Sequence, residues 1–199
     1  MNPHIVALTE KIRILEAELE AQLAQRRAEL RVGLEKGRAF FEGEVLRRHR
    51  ELRTRLSTYV LNARLLVILT APFIYAVIVP LVLLDLFVTL YQAVCFPVYG
   101  IPKVRRRDYL VFDRHHLAYL NALEKLNCAY CSYANGLIAY VREIAARTEQ
   151  YWCPIKHARR VIGAHSRYAM FEDYGDAESY RKWLKQFQDG KQDGKKEKD

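Results

Sequence analysis

The chain has 199 residues, of which 51% are hydrophobic and 28% are charged, with 32 Lys and Arg against 23 Asp and Glu and a net charge of +9. A disordered chain carries fewer apolar residues, so disorder throughout is excluded. Four cysteines in this length, with charges from Glu10 onward and no apolar leader before them, argue against a disulfide-stapled secreted module.

Charge is distributed unevenly along the chain. Residues 59–101 hold only one basic and one acidic side chain, Arg64 and Asp85. By contrast, residues 1–58 hold 12 basic and 9 acidic side chains, and residues 102–165 hold 11 and 5. The positive excess therefore flanks an almost uncharged stretch, which divides the chain into segments of different character.

Residues 1–58 predict one long amphipathic helix of the coiled-coil type. Apolar residues recur every 11 positions in two ladders, and an 11-residue repeat favours a nearly straight or slightly right-handed coil. A stripe of roughly 80 Å is longer than the rest of the chain can cover, so we expect a homo-oligomer or a partner protein to bind residues 1–58. The ladders are Leu8, Leu19, Leu30, Phe41 and Leu52, and Ile12, Leu23, Leu34, Val45 and Leu56.

Residues 59–101 predict a transmembrane hairpin. From Leu65 to Ile101 the only charge is Asp85, and one straight helix of this length would measure about 55 Å against a hydrocarbon core of about 30 Å. We therefore expect two short arms that reverse at Ile78–Val82, where Pro80 interrupts the helix. A single kinked and tilted span is the alternative.

Basic residues on both flanks of this stretch predict its orientation. Because Lys and Arg stay on the cytoplasmic side, we expect a membrane protein, most plausibly of a bacterial inner membrane, with both termini cytoplasmic. The basic clusters at 47–55 and 103–107 are expected to contact lipid head groups, and no nucleic acid partner is expected. Asp85 is interpreted as a residue near the far head groups, with an ion path as the alternative.

Residues 102–187 predict a small helical cytoplasmic domain. Helical patterns over 109–131 and 137–151 are separated by a predicted break at Ser132–Gly136, which contains an Asn-Gly pair. A further amphipathic helix is predicted at 178–187. The polar tail at 188–199 has no apolar side chain to bury, so it is expected to be disordered. The predicted fold class is an all-α membrane protein.

The Cys and His residues of this domain predict a structural zinc site. Cys128 and Cys131 are spaced as C-x2-C, and Cys153 and His157 as C-x3-H, and Cys3His is a recognised zinc ligand set. A straight helix before Cys153 would separate the two pairs, so two alternatives stay open: a site that uses His115 and His116, and no metal at all. Iron is an alternative metal.

The sequence contains no P-loop, nucleophile elbow, Gly-rich dinucleotide fingerprint or H-E-x-x-H motif, so an enzyme is not expected. The long helix and the apolar stretch favour a membrane scaffold or assembly protein. The first alternative is a membrane-bound redox or electron-transfer protein that uses the Cys and His cluster. The second is a small channel or transporter element built around Asp85.

Overall fold

The computed structural model describes residues 3–30, 32–35, 38–41 and 43–185. The described chain is predominantly helical, as predicted, with one short pair of antiparallel strands. The predicted tail at 188–199 lies outside the described residues, and the predicted helix at 178–187 is observed over residues 177–185. The elements are α1 (Pro3–Glu29), β1 (Val32–Glu35), β2 (Arg38–Phe41), α2 (Gly43–Glu51), α3 (Leu56–Leu61), α4 (Leu65–Ala76), α5 (Ile78–Tyr99) and α6 (Ala122–Trp152), with 3-10 turns at Arg106–Asp108, Arg114–His116 and Ser166–Met170.

The predicted continuous helix over residues 1–58 is wrong beyond α1. The chain leaves the helix after Glu29, and β1 pairs with β2 so that Val32 lies opposite Phe41. A reason is visible in the sequence, because Gly33 lowers helix propensity by about 1 kcal/mol and the aromatic residues of β2 favour a strand. The ladders therefore do not continue on one helix from end to end.

Helices α4 and α5 follow one another without a reversal. Val77, between them, keeps a helical backbone with φ −61° and ψ −18°, and it accepts a hydrogen bond of 3.3 Å from the Leu81 amide. The predicted turn at Ile78–Val82 is not confirmed, because these residues form the first turns of α5. Pro80 is tolerated there, since the first turn of a helix has no need of its missing N–H. Leu65–Tyr99 is the one helix of the described chain that is long and apolar enough to cross a membrane.

Helix α6 is continuous, so the predicted break at Ser132–Gly136 is wrong. Gly136 serves packing instead of a turn: a Cβ atom at this position would lie 2.5 Å from the Tyr109 carbonyl oxygen. The helix begins with a reciprocal capping box, in which Asn121 Oδ1 accepts the Glu124 amide at 3.0 Å and Glu124 Oε2 accepts the Asn121 amide at 2.8 Å.

Contacts divide the chain into two compact units that are not contiguous in sequence. Unit 1 comprises Met1–Glu10, Phe87–Val104 and Val141–Asp199, and unit 2 comprises Lys11–Leu86 and Arg105–Tyr140. Each unit has its own buried residues among those described. In unit 1 they include Phe96, Val104, Ile144, Ala146 and Phe171, and in unit 2 Leu110, Asn121, Leu137 and Tyr140.

Candidate functional site

The structure does not bring the four predicted zinc ligands together. Cys128 and Cys131 lie one turn apart on α6, whereas Cys153 follows the end of the same helix. The 22 positions from Cys131 to Cys153 correspond to about 33 Å of continuous helix, far beyond the span of a metal site. Among the described residues no group of three or more His, Cys, Asp or Glu side chains could hold a metal ion.

His157 is engaged elsewhere, within unit 1. Its backbone N–H donates to the Tyr168 hydroxyl at 2.6 Å, and its ring stacks on the Tyr168 ring with centroids 6.0 Å apart. Cys153 and His157 therefore lie in a loop that a hydrogen bond to Tyr168 holds in place. Zinc binding by this set therefore stays a prediction from the sequence, and the helix geometry counts against it.

The alternative histidines lie in unit 2, beside one of the predicted cysteines. His115 Nδ1 contacts the Phe112 carbonyl oxygen, and the His115 ring lies 3.8 Å from that of His116. His115 and Cys128 line the same small cavity of about 20 Å³. The proximity of His115 to the C-x2-C pair was not foreseen, because the sequence analysis placed these histidines next to Cys153.

A larger cavity of about 420 Å³ opens next to this one in unit 2. The Cys131 thiol is exposed at its wall, with Asp113 and Arg114 among the other lining groups. The cavity thus offers a thiol, a carboxylate and a guanidinium to a small polar molecule. The lining residues are Tyr109, Val111, Asp113, Arg114, Cys131, Ser132, Asn135 and Gly136.

An ion pair in unit 2 joins Asp85 of α5 to Arg106. Arg106 donates to both carboxylate oxygens of Asp85, with Nη2–Oδ2 at 2.6 Å and Nε–Oδ1 at 3.3 Å. The Tyr133 hydroxyl of α6 donates to the same Oδ2 at 3.0 Å. Asp85 is 14% exposed and Arg106 47% exposed, so the pair lies at the edge of the packed region.

The two partners of Asp85 have shifted pKa values. The hydrogen bond from Arg106 to the carboxylate outweighs burial and raises the pKa of the guanidinium. Burial, followed by the hydrogen bond to Asp85, raises the pKa of the Tyr133 hydroxyl. Arg106 therefore stays charged and Tyr133 stays protonated, and both groups donate to Asp85. The sequence offers a signal for the pair of Asp85 and Arg106. Asp85 is the only acidic residue of 59–101, and the basic residues of KVRRR follow at 103–107.

A second charged cluster joins α6 to the 3-10 turn at Ser166–Met170 in unit 1. Glu143 Oε1 accepts hydrogen bonds from Arg147 Nε at 2.8 Å and from Arg167 Nη2 at 2.9 Å. Burial alone would raise the pKa of Glu143, but the two guanidinium groups outweigh it, and the pKa is lowered from its ordinary 4.5. The arrangement fastens the loop after α6 to the helix.

Comparison with known proteins yields no match to a family model, a curated protein or a solved structure.

Proposed function

We propose that this protein is a non-enzymatic membrane scaffold or assembly protein. The apolar helix formed by α4 and α5 holds it to the membrane, and α1 associates with further copies of the chain or with a partner. The observation that carries the proposal is the presence of two long, exposed apolar surfaces in one small chain. Exposed apolar area of this extent marks an interaction surface in a soluble or membrane-bound protein.

Helix α1 supports the association half of the proposal. Its ladder residues are all exposed, from 43% for Leu23 to 58% for Leu19. At 100° per residue, Leu15 falls on the same stripe, which therefore runs without a gap from Leu8 to Leu23. The side of α1 opposite this stripe carries several small residues together with Val6 and Glu10, and Arg26 lies on the stripe itself. The small residues are Ala17, Ala21, Ala24 and Ala28.

The basic flanks of α4 and α5 support the membrane half. Arg64 precedes α4 directly, and its exposed side chain makes no ion pair within the described part of the chain. Each Lys or Arg close to an anionic surface contributes about 1 kcal/mol of attraction. The cytoplasmic face of a bacterial inner membrane provides such a surface.

A charge placed on the α1 stripe tests the association. We expect Leu19→Glu to shift the detergent-solubilised protein toward monomer in light scattering coupled to gel filtration, because an ionised carboxylate is costly in an apolar interface. Gln25→Glu is the matched control, since it adds the same charge about 120° away around the helix. A monomeric wild-type chain that also recovers no partner by pull-down would contradict the association.

A redox or electron-transfer function of the Cys and His residues is the second candidate. Cys128 and Cys131 lie one helical turn apart, and the exposed Cys131 is one of the residues that line the 420 Å³ cavity. Metal analysis and visible absorbance of the purified protein separate the two candidates. Iron with a chromophore would favour redox chemistry, whereas a colourless protein without stoichiometric zinc is expected for a scaffold with the α6 geometry described above.

A further inference from the structure

One stripe of the apolar helix is covered by the rest of the chain. From Ala71 to Tyr99, the less exposed positions recur every three or four residues, which is the spacing of one helix side. The side chains between them are exposed. The covered positions are Ala71, Tyr75, Ile78, Leu81, Asp85, Val88, Tyr91, Gln92, Cys95, Phe96 and Tyr99.

Polar and charged groups line the covered stripe in unit 2. Asp85 binds the Arg106 guanidinium at 2.6 Å. Ten positions earlier, the Tyr75 hydroxyl donates to Asn127 Oδ1 at 2.5 Å. A guanidinium at the centre of a bilayer costs at least about 2.5 kcal/mol, so this stripe is suited to the head-group side of a membrane and not to its core.

The covered stripe is polar in unit 1 as well. The buried Gln92 side chain binds the Val104 backbone, with the Val104 amide donating to Gln92 Oε1 at 2.6 Å and Gln92 Nε2 donating to the Val104 carbonyl at 3.3 Å. The hydroxyls of Tyr91 and Thr148 share a hydrogen bond of 3.0 Å. In this unit too, hydrogen-bonding groups occupy the side of α5 that the chain covers.

The exposed side of the helix is apolar from one end to the other. Leu65 is 70% exposed, Leu83 50% and Val98 71%, and no charged side chain is exposed between them. From Ala71 to Tyr99 the covered side thus carries hydrogen-bonded polar groups among apolar residues, whereas the exposed side is apolar. That division is typical of a helix that lies at a membrane surface.

Length and charge argue against a span that buries the whole helix. Leu65–Tyr99 measures about 52 Å, and burying all of it in a core of about 30 Å would need a tilt of about 55°, outside the range of about 0–40° for spanning helices. A single span would also put the cluster at 47–55 and the cluster at 103–107 on opposite sides of the membrane, against the positive-inside tendency. A helix parallel to the surface removes both conflicts.

We infer that α4 and α5 form an in-plane membrane helix, whose exposed face enters one leaflet of anionic phospholipid while both basic clusters stay on the same side. The inference rests on the proposed membrane function and specifies its geometry. The helix is buried about 5–10 Å below the head groups, as is usual for interfacial helices. The chain is therefore attached to one leaflet, and no part of α4 or α5 reaches the far side.

Tryptophan depth measurements test this geometry. In the full chain with Trp152→Phe and Trp183→Phe, single tryptophans are placed by Leu69→Trp, Leu83→Trp and Val94→Trp, all on the exposed face. The variants are bound to vesicles of phosphatidylglycerol and phosphatidylcholine that carry bromine at a shallow or a deep acyl position. Ile162→Trp, at an exposed apolar position outside the helix, reports the baseline, and circular dichroism checks that each variant is folded.

An in-plane helix gives the same ratio of shallow to deep quenching at all three positions. A spanning helix places Leu83 near the bilayer centre and the other two near opposite interfaces, so a ratio that falls at Leu83 overturns the in-plane geometry and leaves the membrane function standing. Absence of quenching at all three positions in folded protein overturns both the geometry and the membrane function.

Discussion

Asp85 is the only acidic side chain between Glu51 and Asp108, and both of its oxygens are occupied by donors from other parts of unit 2. An acid that serves an ion path must exchange protons or ions with its surroundings. In this structure the carboxylate instead ties the segment after α5 to the helix. The pairing favours a structural role for Asp85 over the ion path that was the alternative interpretation.

Asp85→Asn is expected to destabilise the folded protein by about 1 kcal/mol. The amide cannot accept both guanidinium bonds, and the partial exposure of Arg106 limits the loss. Thermal unfolding in detergent, followed by circular dichroism, measures the change. The control is Arg107→Gln, because the Arg107 side chain is 80% exposed. Unchanged stability together with a loss of ion flux in liposomes would favour the channel alternative.

The contacts of the Glu143 carboxylate with Arg147 and Arg167 in unit 1 are expected to weaken in acid. Its pKa is lowered from 4.5 in the folded state, so its contribution to stability is complete above pH 4.5 and is lost as the pH falls through the lowered value. Denaturant unfolding between pH 6 and pH 3 measures this loss. In Glu143→Gln we expect the free energy of unfolding to fall less between pH 6 and pH 3 than in the wild type. Glu18→Gln, at an exposed position of α1, is expected to leave this fall unchanged. An equally steep fall in Glu143→Gln would disprove the assignment.

At the scale of the elements, α6 organises both units. Its first half lines the 420 Å³ cavity and contacts Asp85, and its second half carries Glu143 and Arg147. The helix is continuous through the predicted Asn-Gly break. This continuity separates the predicted zinc ligands.

Gly136→Ala is expected to destabilise the protein by about 1–3 kcal/mol. In an open helix the same change stabilises by about 1 kcal/mol, but here the new methyl group would meet the Tyr109 carbonyl oxygen at 2.5 Å and the Leu110 Cα at 3.2 Å. Gly43→Ala is the matched control, since nothing lies within 4 Å of its Cβ position and α2 begins at Gly43. If both variants are equally stable, α6 does not pack closely on residues 109–110.

At the scale of the whole molecule, the in-plane geometry predicts the sidedness of the chain. Single cysteines introduced by Ser57→Cys and Lys103→Cys in a cysteine-free chain flank the apolar helix. Both are expected to react with a membrane-impermeant maleimide from the same side of sealed membrane vesicles, because both basic clusters face the same compartment. Labelling of the two positions from opposite sides would show that the helix crosses the bilayer.

Much of the architecture follows from the sequence alone, because it depends on local composition. Continuous apolar residues and the absence of charge predict an apolar helical segment long enough for a membrane, and its basic flanks predict lipid contact. They did not predict that α4 and α5 follow one another without a reversal, because Pro80 favoured a turn. The helical class follows from the periodicity of the apolar residues. The glycines after Glu29 lower helix propensity and so indicated where the first helix could end, although the 11-residue repeat predicted one continuous helix.

The remaining features were decided by tertiary contacts, which no local pattern encodes. Gly136 suits both an Asn-Gly turn and a close helix contact, and only the position of the Tyr109 carbonyl selects the second. Likewise, Cys128 and Cys153 fit a zinc spacing in sequence, but the chain between them forms one continuous helix. The structural role of Asp85 also depends on the tertiary structure, because its ion pair forms only where the segment after α5 brings Arg106 next to the helix.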